Sequence, residues 1–343
     1  MGLNERNADF ILPHNPRKNY PLVDNKLLTK ALAIEAGIPV PPLYGVIEIM
    51  HQIEDLSGLL APYEDFVVKP AQGAGGEGIL VVTGRQGDRY RQSDGELTTE
   101  EDLGHHISNI LGGMYSLAGR PDQALLEYRV KFDPIFEHIS FQGVPDIRIL
   151  VFRGIPVLAM IRLPTRGSSG KANLHQGAIG VGIDLASGRT FDGVWHERPI
   201  EEHPDTGGQL SGRIIPYWDE ILAMTARCHD FAGLGFIGVD IVLDEIQGPM
   251  MLEVNARPGL SIQLANRLGL LPRLRHVEAL KSIPTEISER VQAAKTLARY
   301  TARNPALRAS AGVWKQVRQN VAIFIDIDQA SDRLRSTPRT GVS

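Results

Sequence analysis

Apolar and polar positions alternate in short runs along most of this chain, and several of the runs come in pairs. Phe236 to Asn255, "FIGVDIVLDEIQGPMMLEVN", reads as two β-branched-rich strands joined by a loop with Gly248 and Pro249, which predicts a hairpin. Phe66 to Gly84, "FVVKPAQGAGGEGILVVTG", predicts another, with four glycines at its tip. "QALLEYRV" reads as a strand, "DIRILVFRGIPVLAMIRL" as a hairpin turning at Arg153 and Gly154, and "SSGKANLHQGAIGVGIDL" as a loop running into a strand. Helical spacing takes over in three places. In "DNKLLTKALAIEAGIP" Asp24 or Asn25 is the N-cap, Leu27, Leu28, Ala31 and Leu32 form the apolar face, and Gly37 with Pro39 ends the helix. "YWDEILAMTARCHDFAGLG" places Ile221, Met224, Cys228 and Phe231 on one face, and the chain from Pro284 to Arg303 is expected to be helical, followed by a polar tail. Residues 85 to 121 read as loop plus one helix around "EEDLGHHISNILGGM", and the first twenty or so, with Pro13, Pro16 and Pro21, as an extended arm. The expected organisation is an arm over 1–22, a lobe over 23–130 with the Gly-rich hairpin, a second lobe over 131–283, and a helical extension and tail over 284–343.

The pattern also places chemistry. Successive side chains of a strand point to opposite faces, so Glu253 and Asn255 share one face while Leu252 and Val254 take the other. If Leu243 pairs with Met250, Asp240 lies across from Glu253. Like charges opposed in a sheet are unfavourable without a cation between them, and two carboxylates with an amide oxygen suit Mg²⁺. The plainer reading is a solvent-facing pair on a half-exposed hairpin. Lys69 ends an apolar strand just before Gly73, Gly75, Gly76 and Gly78, where an ammonium and closely approaching backbone could cradle a polyphosphate. The spacing is not that of a Walker loop, and a mobile loop is the alternative. Lys26 stands in the first turn of its helix, where a cation opposes the dipole; it is either a surface lysine or a ligand-binding one. Arg257, directly after the proposed metal ligands, is read either as a bidentate clamp for a substrate carboxylate or as half of a structural salt bridge, with Ser261 assisting or merely turning the loop. Among the histidines only His175, within "NLHQG", has an active-site address, and Cys228 reads as core.

Composition narrows the class. With 343 residues the chain suits about two domains, and 43% hydrophobic with 22% charged residues is ordinary for a globular protein. A net charge of −4 gives no electrostatic case for nucleic acid or an anionic membrane. A single cysteine leaves no internal disulfide and no Cys-based zinc site. No signal-peptide pattern and no run of some 18 apolar residues is present, so the expectation is a cytoplasmic protein.

Taken in order, a lysine at a helix start, Val-Val-Lys before a Gly-rich hairpin, "LLEY", "DIR", "KANLH", "GVD" and "LEVNARPGL" resemble the ATP-grasp superfamily, from about Tyr20 to Leu280. Within it the motifs look most like RimK-type glutamate ligases, in particular the alpha-L-glutamate ligase-related proteins. The resemblance implies an α+β ATP-grasp fold, two lobes clamping ATP between antiparallel sheets; it usually includes a further N-terminal α/β domain ahead of the first lysine helix, where only the short arm is expected here. It implies that Lys26 and Lys69 contact ATP phosphates, with Lys69 also near adenine; that Glu127, Tyr128, Arg129 and Val130 form the hinge strand holding adenine; and that Asp146 lies near the ribose. Lys171 and Asn173 of "KANLH" would face the phosphates, Lys171 standing where the related motif carries arginine. Arg162 would neutralise the transferring phosphoryl group, and Asp240, Glu253 and Asn255 would hold Mg²⁺, or Mn²⁺ in its place. The activity implied is ADP-forming ligation of a carboxylate to an amine, with an amino acid such as glutamate added to a peptide, protein or small-molecule acceptor. Phosphorylation of a hydroxyl and a non-catalytic ATP-binding role are the alternatives. "RVKFDPIFEHISFQGVP" is longer than the related pattern by about ten residues, within what loops tolerate. The arm could reach a second copy in a homo-oligomer.

Overall fold

Among residues 1–73, 75–116 and 119–303, which the computed structural model describes, thirteen strands form two antiparallel sheets. The expected polar tail begins at residue 304 and lies outside these residues. The smaller sheet contains β1 (Leu43–Ile47), β2 (Phe66–Pro70), β3 (Leu80–Gln86), β4 (Arg89–Gln92), β5 (Leu97–Thr98) and β6 (Ala124–Glu127), in the order β1-β6-β2-β3-β4-β5. The larger contains β7 (Asp146–Phe152), β8 (Ile155–Leu163), β9 (Ile179–Ile183), β10 (Thr190–Trp195), β11 (Arg198–Ile200), β12 (Phe236–Asp244) and β13 (Gly248–Asn255), in the order β11-β10-β9-β8-β7-β12-β13. The helices that matter below are α1 (Lys26–Glu35), α2 (Glu100–Leu111), α3 (Trp218–Ala232), α4 (Leu271–Glu278) and α5 (Ile287–Arg303).

The three predicted hairpins form, β2 with β3, β7 with β8, and β12 with β13. The helix predicted around "EEDLGHHISNILGGM" is α2, capped by Thr99, whose hydroxyl accepts from the Asp102 amide. Helix α3 also lies where the periodicity places it, and α5 falls within the Pro284–Arg303 stretch expected to be helical. Strands β4 and β5 fall in the stretch read as loop; they are short and polar, and only pairing with β3 organises them.

Alternation along the larger sheet divides its two faces. Ile147, Ile149 and Val151 of β7 and Ile237, Val239 and Ile241 of β12 point into one apolar core, which α3 covers. On the other face Leu150, Phe152, Leu158, Met160 and Phe236 join a second core against α4 and α5. That second face is apolar only at one end. At the other end it carries Asp146, Arg148, Arg162 and Asp240, all buried or nearly so. The smaller sheet packs Phe66, Val68, Leu126 and the apolar side of α2 together, which leaves Lys69 on its opposite face.

Two expectations need correction. The N-terminal segment is not extended: Leu3–Glu5, Arg6–Ile11 and Leu12–His14 are short helical turns, and they pack on the larger sheet. Phe10 is fully buried, its ring edge-on to Phe152 at 5.5 Å. Three prolines suggested an open chain, but Pro16 and Pro21 lie at the starts of turns, where a missing N–H costs nothing, and Pro13 lies in the last turn of the helical run. In α1 the N-cap is Asn25, whose side chain accepts from the amides of Leu27 and Leu28, yet the buried face is not the predicted one. Thr29, Lys30 and Ala33 are buried while Leu28 is 46% exposed. Lys30 turns inward because it finds Glu127 at 3.0 Å. Charge pairing outweighs the apolar stripe here.

Asn15 fastens the N-terminal segment to the larger sheet. Its amide nitrogen donates to the carbonyls of Phe236 (2.7 Å) and Ala256 (2.9 Å), and its oxygen accepts from the Phe236 amide (2.8 Å). The residue is 3% exposed, so no water replaces these bonds. Asn15→Ala should therefore cost on the order of 3 kcal/mol, read as a lower urea midpoint with unchanged slope. An unshifted midpoint would mean that this segment is not part of the cooperative core.

Candidate active site

The hairpin of β12 and β13 carries a β-bulge that decides what faces the cleft between the sheets. Asp240 lies opposite Glu253, but Ile241 pairs with Met251, Val242 with Met250 and Leu243 with Pro249. The predicted Leu243–Met250 pairing is thus off by one, and the expected Asp240–Glu253 pairing is met because Leu252 is the extra residue. Without that bulge Glu253 would point into the apolar core. Asn255 shares the face of Glu253, as alternation requires, and donates its amide N–H to Glu253 Oε1 at 3.1 Å. The carboxamide therefore turns its nitrogen, not its oxygen, toward the carboxylates.

Across four neighbouring strands the same face forms a ladder of charge. Arg162 on β8 stands opposite Asp146 on β7, and Arg148, two residues along β7, stands opposite Asp240 on β12. Arg162 forks onto Asp146 with bonds of 2.5 and 2.6 Å and reaches Asp240 Oδ2 at 2.9 Å. Arg148 forks onto Asp240 through Nε and Nη2. Burial pushes the Asp146 carboxyl up to about 6 against the pull of Arg162. Burial opposes charge on Asp240 as well, but Arg148 and Arg162 together hold its carboxyl down. Arg162, buried beside two carboxylates, is held charged.

Facing this ladder is the base of the Gly-rich hairpin. Lys26 Nζ donates to the Gly73 carbonyl at 2.5 Å and the Lys26 amide to the Ala71 carbonyl at 2.9 Å, so the first turn of α1 is docked on the end of β2. Lys69 pairs with Glu127, which Lys30 also holds. Glu127 is fully enclosed; burial disfavours its charge, and the two lysines more than offset this, keeping its carboxyl below the usual range. Burial lowers the pKa of Lys26, with Glu253 opposing the shift and Lys69 adding to it.

Two cavities open around these groups. The first, about 750 Å³, lies between the sheets and is lined by Lys26, Lys69, Gly73, Gly75 and Gly76 on one side. Asp146, Arg162, Asp240 and Glu253 line the other, with Lys171 and Asn173 from the loop before β9. Apolar Ile79, Leu80, Val130 and the bulged Leu252 also line it. Its volume is within the range of roughly 300–1,000 Å³ usual for small-molecule sites. The second, about 540 Å³, lies beyond the metal-ligand candidates and is lined by Arg148, Arg162, Glu253, Asn255 and Arg257 together with Arg6 of the N-terminal segment.

Thirteen of the sequence-predicted residues, Arg129 among them, thus meet in the first cavity, and Asn255 and Arg257, with His175 and Ser261, line the second. Glu127 and Tyr128 line neither. Glu127 lies behind Lys69, and Tyr128 directs its hydroxyl to Asp244 Oδ2 at 3.0 Å. Arg257 has neither an ion pair nor a hydrogen bond among the described residues, so the structural salt bridge considered for it is not formed; its guanidinium lies over the Tyr20 ring, 4.9 Å from the centroid. Three site residues escaped the sequence reading. Arg148 is two residues after Asp146, the same alternation that singled out Glu253 and Asn255, and was legible in "DIR". Lys30 is one helical turn after Lys26. Arg6 carried no signal, because its place depends on the folding back of the N-terminus.

As to a cation, no cluster of three or more His, Cys, Asp or Glu side chains is placed to hold a metal among the described residues. The candidate is two carboxylates and an amide. Glu253, whose side chain is 36% exposed, is open to a hard cation, and a half-turn of the Asn255 carboxamide would present its oxygen. Asp240 already accepts from three guanidinium N–H groups, so a cation there must displace Arg148 or Arg162 from one of its oxygens. The donors fit Mg²⁺ on that condition. Among the described residues no helix is long and apolar enough to cross a membrane.

The cyanophycin synthetase of Crocosphaera subtropica is 24% identical over 259 residues, which are 71% of this chain and 28% of that protein; the chain thus spans little more than a quarter of its relative's length. Among solved structures, D-cycloserine synthetase DcsG is 16% identical with a TM-score of 0.44, covering 80% of this chain and 73% of its own. D-alanyl-alanine synthetase A from Vibrio cholerae is 14% identical with a TM-score of 0.45, covering 82% and 66%. The profile of the sugar-transfer associated ATP-grasp family matches residues 5–279, and on that match, which takes in both sheets, the chain belongs to this family and has the ATP-grasp fold.

Proposed function

We propose that this chain is an ATP- and Mg²⁺-dependent ligase that joins a carboxylate to an amine through an acyl phosphate. The observation that carries the reading is the meeting of two cavities at Arg162, Asn173 and Glu253: one suited to a nucleotide, the other opening on an uncommitted guanidinium. In this reading Lys26 and Lys69 take phosphate oxygens, with the backbone of Gly73, Gly75 and Gly76 close by and Lys171 and Asn173 on the opposite side. The base rests among Ile79, Leu80, Leu252 and Val130, at the end of the hinge strand. Glu127 acts behind Lys69 by holding its ammonium in place, and Tyr128 by tying the hinge to Asp244. Asp146, matched by resemblance to the ribose region, here orients Arg162.

Asp240, Glu253 and Asn255 would hold Mg²⁺, or Mn²⁺ in its place, which would neutralise charge on the phosphates. Arg162 supplies a fixed cation where charge builds on the phosphoryl group in flight, and its orientation needs no adjustment during the reaction because Asp146 already forks onto it. The motifs' likeness to RimK-type ligases supports the finer form of the proposal, addition of an amino acid, glutamate included, to a peptide, protein or small-molecule acceptor. The cyanophycin synthetase relative supports the same class of chemistry.

A coupled ADP-release assay across pairs of carboxylates and amines, amino sugars included, tests the reading. ADP should form only when both partners are present, and mass spectrometry should find their condensation product. ADP formed with a hydroxyl compound alone would make the protein a kinase. Glu253→Ala removes a metal ligand without removing core volume and should lower the rate about 100-fold or more with an unchanged melting temperature; a near-normal rate would refute the metal assignment. Lys26→Gln should weaken ATP binding in calorimetry roughly tenfold to a hundredfold. Lys26 is the cleaner probe than Lys69, whose loss would also strip buried Glu127 of a partner; unchanged affinity would return Lys26 to the surface lysines.

A further inference from the structure

Charge and burial in the second cavity define what can enter it. Four arginines line it, but three are committed. Arg148 and Arg162 are forked onto Asp240 and Asp146. Arg6, 7% exposed, donates to the Pro258 carbonyl at 2.7 Å and to Asn7 Oδ1 at 2.8 and 3.1 Å. Only Arg257 keeps its donors free among the described residues, held over the Tyr20 ring by its face alone. Asp24 senses the charge of Arg257 but is not within ion-pairing distance, and Arg6 and Arg257 repel one another. Among the arginines, Arg257 thus offers a place for one anionic group. One stretch of the wall is apolar: Leu3, Met160, Leu174 and Leu260 line it, and all four belong to or pack on the second core of the larger sheet; Met1, Asn173, His175, Ser261 and Gln263 line the rest. A second carboxylate on a ligand lying along that apolar stretch would face it without a partner.

We propose that this cavity takes a monocarboxylic acid with an apolar body, its carboxylate forked by Arg257 beside Asn255 and its hydrocarbon against Leu3, Leu174 and Leu260. The assignment rests on the ligase reading for its role as substrate, and it narrows that reading from glutamate toward an acid without a second charge. Arg257 binds both carboxylate oxygens in the plane of the guanidinium, which a lysine reproduces only as a point charge. The N-terminal segment closes the pocket through Leu3 and is pinned to the Arg257 loop by the bond from Arg6 to Pro258.

Calorimetric titration of the full chain, with and without Mg²⁺ and a non-hydrolysable ATP analogue, tests this with butanoate, hexanoate, octanoate and glutarate as probes. Affinity should rise about fourfold per added methylene until the cavity is filled, and glutarate should bind more weakly than hexanoate. Arg257→Gln should weaken hexanoate about tenfold or more while leaving affinity for the nucleotide analogue unchanged, and Arg257→Lys should restore part of the loss. Leu174→Gln should flatten the chain-length dependence at constant butanoate affinity. Glutarate binding as tightly as hexanoate, inorganic phosphate competing equally with every acid, or indifference to Arg257→Gln would each overturn the assignment. Failure of the nucleotide analogue to bind would instead overturn the ligase reading, while the nucleotide-free titrations still decide what the cavity holds.

Discussion

The buried carboxylate of Asp240 is the point on which the rest of the site depends. It is 2% exposed at the meeting of β7, β12 and β13, and a charge in that position survives only if it is matched. Arg148 and Arg162 match it, and in doing so they fix themselves. Arg162 must span from β8 to β12, which draws Asp146 into the same network, and Arg148 must lie flat across β12. Gly238 makes room for that: a Cβ there would come within 3.3 Å of Arg148 Cδ and 2.7 Å of Pro258 Cβ. Removing one member of such a network typically costs about 3–5 kcal/mol, because the charge left behind stays buried. The same energetics keep the floor of the cleft from collapsing, since each side chain has one satisfied orientation. Rigidity of this kind is what the proposed phosphoryl transfer would ask of the protein, and here it comes from pairing rather than from packing.

The larger features of this architecture were legible because they rest on local pattern. Period-two alternation located β7, β8, β12 and β13, and it put Glu253 and Asn255 on one face. Helical spacing and caps located α1, α2, α3 and α5. Reading failed where a long-range partner overrides the local preference. Lys30 points inward for the sake of Glu127, almost a hundred residues away, so the apolar stripe of α1 was assigned to the wrong side. The N-terminal turns exist because Phe10 finds Phe152 and Asn15 finds Phe236, contacts invisible in a Pro-rich local sequence. The bulge at Leu252 was equally hidden, and the Asp240–Glu253 pairing was anticipated from a register that the hairpin does not use at its far end. Resemblance to the ATP-grasp superfamily supplied what pattern could not, the grouping of lysines, glycines and carboxylates that lie up to about 230 residues apart.

How two substrates would be handled by one fold follows from what the cavities share. Gly75, Arg162, Asn173 and Glu253 line both. Three of these are side chains held from below, by Asp146, by the turn that Asn173 caps through the His175 amide, and by Asn255. The fourth is backbone at the tip of the Gly-rich hairpin, and its constraints are of another kind. The hairpin is anchored near its base and near its return: Gly73 by the bond from Lys26, Gly78 by His106, whose Nε2 lies 3.0 Å from its carbonyl, and by Tyr115, which a Cβ on Gly78 would strike at 2.6 Å. Between these anchors Gly75 has φ of +67° and nothing within 4 Å of a would-be Cβ. A left-handed residue in open space costs glycine little and any other residue more, so the tip can change shape while its ends stay fixed. It is therefore the one of the four shared elements whose position can respond to the contents of either cavity, and closing it over the acyl phosphate of the proposed reaction would shield that group from water without disturbing the charge ladder beneath.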